Sequence, residues 1–160
     1  MDSKLLSHLI SIANDAGEAI MDIHKKPSNF EIKSDNTPVT EADNASNQII
    51  SSALEKLTPN IPILSEESAE IPFSVRKKWK EYWLIDPLDG TRDFIDGSPD
   101  FCISIALIKK NYPSFGLIYS PFNKVLYYRL TGEKSIKKFN NVCQELVTQK
   151  PKRWENIVVG

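Results

Sequence analysis

Cysteine and histidine are scarce in these 160 residues, with two of each. Cys102 and Cys143 form no CxxC pair and His8 and His24 lie far apart, which excludes a zinc cluster and a disulfide framework. A reducing compartment is the default. Long apolar runs are missing too. No window approaches the roughly 20 apolar residues of a membrane-spanning helix. Ser7, His8, Ser11, Asn14 and Asp15 break up the first helix-length stretch, so no secretory leader is read there. The chain is therefore read as cytoplasmic, with peripheral attachment to a membrane left open, and the Asn44-Ala45-Ser46 sequon carries no weight. An excess of one charge is also lacking. Twenty Lys and Arg against 21 Asp and Glu give a net charge of −1, which argues against a nucleic-acid polymer as partner and against a polybasic anchor.

What is present is an ordinary globular composition, 41% hydrophobic and 26% charged. A chain of this length buries about 70% of its unfolded surface and folds as one domain, or as part of a larger one. Leu5, Leu9, Ile12, Ala16, Ile20 and Ile23 recur at steps of three and four, which predicts an amphipathic helix over residues 3–26, stopped by Pro27. A polar loop from Lys33 to Pro38 leads to Thr40-Glu41-Ala42-Asp43, the signature of a capped helix start. That second helix is expected to run to about Leu57 with Ala42, Ala45, Ile49, Ala53 and Leu57 inward.

Beyond it the period shortens to that of strands, at residues 61–64, 82–85, 101–108, 114–119 and 124–130, with 135–139 as one more. Their short connections predict an antiparallel meander, and the whole an α+β domain with helices layered on a mostly antiparallel sheet. Arg76-Lys77-Lys78-Trp79-Lys80 and the lysines at 134, 137 and 138 read as solvated faces, and Trp79 and Trp83 as packing residues.

Against this background the carboxylates are placed oddly. Glu66 and Glu67 follow one strand, Asp86 and Asp89 end another, and Asp43 starts a helix. Two like charges about 4 Å apart repel by roughly 4 kcal/mol at an effective dielectric near 20, so such a cluster needs protons or cations. Oxygen ligands without His or Cys select Mg²⁺, Mn²⁺ or Ca²⁺. Leu88 breaks the alternation of an EF-hand and also rules out an Asp-x-Asp phosphatase, because the spacing is Asp-x-x-Asp. Asp86-Pro87-Leu88-Asp89-Gly90 taken alone reads equally as a turn. Joined to Glu66 and Asp43, with Leu88 offering a carbonyl, Gly90 a close backbone approach and Thr91 a hydroxyl, it carries equipment for phosphoryl hydrolysis.

Lys33, then Pro38-Val39-Thr40-x-x-Asp43, then Leu64-Ser65-Glu66-Glu67, then Trp83-Leu84-Ile85-Asp86-Pro87-Leu88-Asp89-Gly90-Thr91 resemble, in order and spacing, the inositol monophosphatase superfamily of Mg²⁺-dependent, lithium-sensitive phosphatases. Arg92-Asp93-Phe94, residues 101–108 and Gly116-Leu117-Ile118-Tyr119-Ser120-Pro121 are most similar to its 3'(2'),5'-bisphosphate nucleotidase (CysQ-type) branch. The resemblance implies a sugar-phosphatase-like fold and two or more Mg²⁺ sites, with Mn²⁺ able to substitute and Li⁺ inhibitory. Glu66, Asp86 and the Leu88 carbonyl would hold one cation, and Asp86 and Asp89 another. Thr91, supported by Asp43 and Glu66, would activate the attacking water. Glu66, Leu88, Asp89 and the amides of Gly90 and Thr91 would line the substrate phosphate, and Lys33 would lend charge.

The implied substrate is small and phosphorylated, adenosine 3',5'-bisphosphate. Alternatives are an inositol or sugar monophosphate, or a non-catalytic metal-binding remnant. The resemblance also implies a departure. The family's second, α/β domain carries a Trp-Asp-x-x-Ala-Gly motif, whereas Lys80, Leu84 and Glu155 follow the three tryptophans here. Residues 1–150 are thus expected to form the metal-binding domain and 151–160 the start of a truncated second one. Such a chain is expected to be weak or inactive, with self-association open.

Overall fold

The computed structural model describes residues 3–25, 30–32 and 38–147; Lys33 and residues 151–160 lie outside them. Helix α1 (Ser3–His24) and helix α2 (Glu41–Leu57) flank a two-stranded antiparallel ribbon, β1 (Phe30–Ile32) and β2 (Pro38–Thr40). Strand β3 (Ile63–Ser65), a single-turn helix α3 (Phe73–Arg76), strand β4 (Glu81–Asp89) and a short helix α4 (Thr91–Ile95) follow. The chain continues as a meander through β5 (Cys102–Lys109), β6 (Tyr112–Ser120), β7 (Val125–Leu130), β8 (Ser135–Phe139) and β9 (Val142–Leu146).

Strands β3 to β9 form one sheet in chain order. Every pairing is antiparallel except β3 on β4, where Ser65 lies beside Ile85. The expected α+β layering is what the chain adopts. One face of the sheet packs under the helices, because alternate strand residues are apolar: Trp83 and Ile85, Ile103, Ile105 and Leu107, and Phe115 and Leu117 join Leu9, Ala13, Ala16 and Ile20 of α1 in the core. Gly17 lets α1 approach that sheet, since a Cβ there would lie 2.5 Å from the Tyr119 ring. The Trp83 indole donates to Thr58 Oγ1 at 2.9 Å, tying the end of α2 to β4. Leu84, Ile118 and Tyr127 stand exposed on the opposite face. No helix among the described residues is long and apolar enough to cross a membrane.

Several expectations need correction. The strand expected to end at Ile85 runs on through Asp86 and Pro87 to Asp89, because β5 continues beside it and absorbs the proline in a register shift between Asp86 and Asp89. The strand expected over 61–64 is β3, two residues later, where pairing with β4 begins. Pro38, expected to end the polar loop, opens strand β2, and β9, which was not expected, pairs with β8 although its side chains are all exposed and so left no alternating pattern. The buried stripe of α2 runs through Ala42, Asp43, Ser46, Ile50 and Leu54, with Ile49, Ala53 and Leu57 on its flank. Asp43 and Ser46 turn inward because each finds a buried hydrogen-bond partner.

Candidate active site

Thr40 sits in extended backbone just before α2 and caps it, its Oγ1 accepting from the Ala42 amide at 3.1 Å. In return Asp43 Oδ2 accepts from the Thr40 amide at 2.8 Å and from its hydroxyl at 2.6 Å. The other carboxyl oxygen, Oδ1, accepts from the Thr91 hydroxyl at 3.0 Å. One buried carboxylate therefore serves both as the capping partner of Thr40 and as the acceptor for the Thr91 hydroxyl.

The acids come together through strand pairing. Parallel pairing of β3 with β4 is extended by the Glu66 amide donating to the Ile85 carbonyl at 3.1 Å, which sets Glu66 beside Asp86. Asp86 is pushed up from an ordinary 3.8 to about 7, first by burial, then by the charges of Glu66 and Asp89 and by a hydrogen bond to Glu66; a bond from the Leu88 amide opposes this only in part. Asp86 Oδ1 is buried without a hydrogen-bond partner.

Asp89 ends β4, with an exposed side chain, and the chain then turns sharply at Gly90. Gly90 has φ +93°, and a Cβ there would meet the Asp100 carbonyl at 2.8 Å, so only glycine fits. Thr91 opens α4 and its hydroxyl also reaches the Leu88 carbonyl at 3.2 Å. Asp43, Glu66, Asp86, Leu88, Asp89, Gly90 and Thr91 thus share one end of the sheet.

Among the described residues no three His, Cys, Asp or Glu side chains already surround one point as ligands. Asp86 is instead hydrogen-bonded to Glu66. The donor set nevertheless fits a hard cation: a buried orphan oxygen on Asp86, neighbouring carboxylates that repel it, and a Leu88 carbonyl with a second lone pair to give.

Several contributors escaped sequence reasoning. Ser46 donates to the Pro87 carbonyl at 2.7 Å, and Ser65 donates to Asn47 Oδ1 at 2.7 Å. Cys102 lies 3.9 Å from Asp89 Oδ2 and Ser104 pairs with Asp86 across the sheet. Strand alternation on β5 could have found this last pair, since 102 and 104 share a face. Burial and Asp89 push the Cys102 thiol up, so it stays protonated beside the acids. His24 packs against Phe94 and Phe101 at 5.1 and 5.4 Å, behind the Gly90 turn.

Comparison with known proteins gives the arrangement a lineage. The model of the inositol monophosphatase family matches residues 1–159. The chain belongs to the inositol monophosphatase family. Within it, the chain is 42% identical over 138 residues to the 3'(2'),5'-bisphosphate nucleotidase CysQ of Haemophilus influenzae, covering 86% of this chain and 51% of that protein. The CysQ of Salmonella typhimurium is 43% identical over 131 residues, covering 81% of this chain and 53% of its own. The crystal structure of CysQ from Bacteroides thetaiotaomicron superposes with a TM-score of 0.72 at 36% identity, over 91% of this chain and 52% of that one. Extragenic suppressor protein SuhB from Bartonella henselae gives a TM-score of 0.76 at 29% identity, over 84% and 52%. The chain spans about half the length of the curated relatives it matches.

Proposed function

We propose that this chain is the metal-binding part of a Mg²⁺-dependent phosphomonoesterase acting on adenosine 3',5'-bisphosphate. The single observation that carries the reading is Asp86, held half-buried with an unpartnered oxygen between Glu66 and Asp89, on the turn whose Thr91 hydroxyl is bound by the buried Asp43. The likeness to CysQ nucleotidases supports the substrate class. Glu66, Asp86 and the Leu88 carbonyl would hold one cation, and Asp86 and Asp89 a second. Mg²⁺ there would supply positive charge that relieves the carboxylates and steadies the phosphate oxygens.

The chain's own groups do the rest. As Thr91 Oγ1 takes a proton from an attacking water, its own hydroxyl proton would pass along the existing hydrogen bond to Asp43 Oδ1. Glu66, beside Asp86, would align that water. The first amides of α4 have no intrahelical partners and would donate to a phosphate. No covalent intermediate is required.

Phosphate release from adenosine 3',5'-bisphosphate tests this, measured with Mg²⁺, after chelation, and with Asp86→Asn. Release that disappears on chelation and in the variant is expected. Faster release from myo-inositol phosphate would move the substrate to the inositol class, and Mg²⁺ binding without any release would make the chain a metal-binding remnant.

A further inference from the structure

Three residues of α2 reach the backbone or side chains of the two site segments. Asp43 accepts from Thr91, Ser46 donates to Pro87, and Asn47 accepts from Ser65, the residue before Glu66. At positions i, i+3 and i+4 they stand side by side on one helix. We propose that Ser46 and Asn47 are positioning residues, which with Asp43 make α2 a rigid template fixing the separation of the Glu66 segment from the Asp86–Thr91 turn.

Two features give these bonds more weight than ordinary helix-to-sheet contacts. The ladder between β4 and β5 jumps from Asp86–Ser104 to Asp89–Cys102, skipping Pro87 and Leu88. The Pro87 carbonyl therefore loses its cross-strand donor, and the Ser46 hydroxyl, fully buried, replaces it from the helix side. Asn47 is held just as firmly. Its Oδ1 accepts from Ser65 at 2.7 Å and from Ser51 at 3.2 Å, while Ser65 Oγ also accepts from the Glu67 amide at 3.4 Å. Both acidic segments are thus gripped next to the residue that bears the charge.

The grip matters because β3 is only three residues long and ties the Glu66 segment to β4 by little more than its parallel pairing and the Glu66 amide bond to the Ile85 carbonyl. Helix α2 is a 17-residue element whose neighbouring side chains keep fixed spacing. The carboxylates are thereby kept at one distance before any cation arrives.

This inference rests on reading the acid cluster as a cation site, and the test separates the two. Mg²⁺ affinity by calorimetry is compared for the parent chain, Ser46→Ala, Asn47→Ala, and Ile12→Val, which trims the core of α1 away from the site. Loss of a supporting hydrogen bond is expected to weaken Mg²⁺ binding about tenfold in the first two variants and to leave Ile12→Val within about twofold of the parent. Asn47→Ala keeps the test open if Ser46→Ala does not fold. Parent-like affinity in a folded Ser46→Ala and Asn47→Ala overturns the proposal.

Amide exchange of Glu66 and Leu88 without metal supplies a readout independent of cation binding. Faster exchange there in both variants, but not in Ile12→Val, is expected; unchanged exchange overturns the template. If the parent itself binds no Mg²⁺, the cation reading falls, and the exchange result still decides the template.

Discussion

Asp86 carries the strongest electrostatic tension in the described chain, and its consequences are measurable one residue at a time. Its folded-state pKa, about 7, lies above the ordinary 3.8, so the folded chain binds this proton more tightly than the unfolded one. The resulting stabilisation is present at low pH and lost as pH rises from about 4 through 7. Metal-free protein should therefore melt lower at pH 8 than at pH 5.5, by about 1–2 kcal/mol once solvent screening of a half-buried group is allowed for. Mg²⁺ competes with that proton, so its affinity should rise over the same range. Melting curves at both pH values for the parent and Asp86→Asn check this; equal slopes in both would place the titration elsewhere. Thr91→Ala should lower kcat by 10²–10⁴-fold, the usual range for general-base assistance, with Mg²⁺ affinity nearly intact. An unchanged kcat would reduce Thr91 to a turn residue. Gly90→Ala should destabilise by about 2 kcal/mol or more, through the left-handed backbone and the contact with Asp100, as denaturant titration would read.

At the scale of elements, what the sequence displayed and what it hid separate along physical lines. Helices α1 and α2 and strands β4 to β8 were legible because their apolar periods are strong and their ends carry turn residues. β9 was hidden because an edge strand with exposed side chains has no buried face to mark it. The inward turn of α2 was missed for the converse reason. Ser46 and Asp43 look like surface residues until the partners that satisfy them, Pro87 and Thr91, are known from the fold. The acids themselves were legible as motifs, but their meeting depended on the parallel β3–β4 register, which no periodicity encodes. The start of α2 offers a test at this scale. Thr40→Ala removes the acceptor for the Ala42 amide and one of the two donors to Asp43 Oδ2. Stability should fall by about 1–2 kcal/mol, in the upper range for a helix cap, and Thr40→Ser should recover most of it. A fall confined to a few tenths would mean that Asp43 is held in place without its cap.

For the molecule as a whole, the coupling of cation and fold follows from where the acids sit. They close one end of the sheet, so a cation that relieves them stabilises β3, β4 and the start of α2 together. A ligand at a hundredfold excess over its Kd adds about 2.7 kcal/mol, which should raise the melting temperature with Mg²⁺ in the parent and much less in Asp86→Asn. The two proposed cation positions are not equivalent. One draws on Asp86, its neighbour Glu66 and the Leu88 carbonyl; the other relies on Asp86 and the exposed Asp89. Calorimetry of the 160-residue chain should therefore find one tight and one weak Mg²⁺ site. A leaving oxygen is steadied by the second cation in a two-metal displacement, and contacts remote from the reacting phosphate lower the barrier only if the protein makes them. This chain matches about half the length of the CysQ relatives, and the proposed contacts to substrate all come from that half. Turnover of adenosine 3',5'-bisphosphate by the 160-residue chain should accordingly fall far below that of a full-length CysQ measured alongside it. Two tight sites with turnover equal to the relative's would show that these 160 residues hold everything the reaction needs, and the proposed weakness of the second position would be wrong.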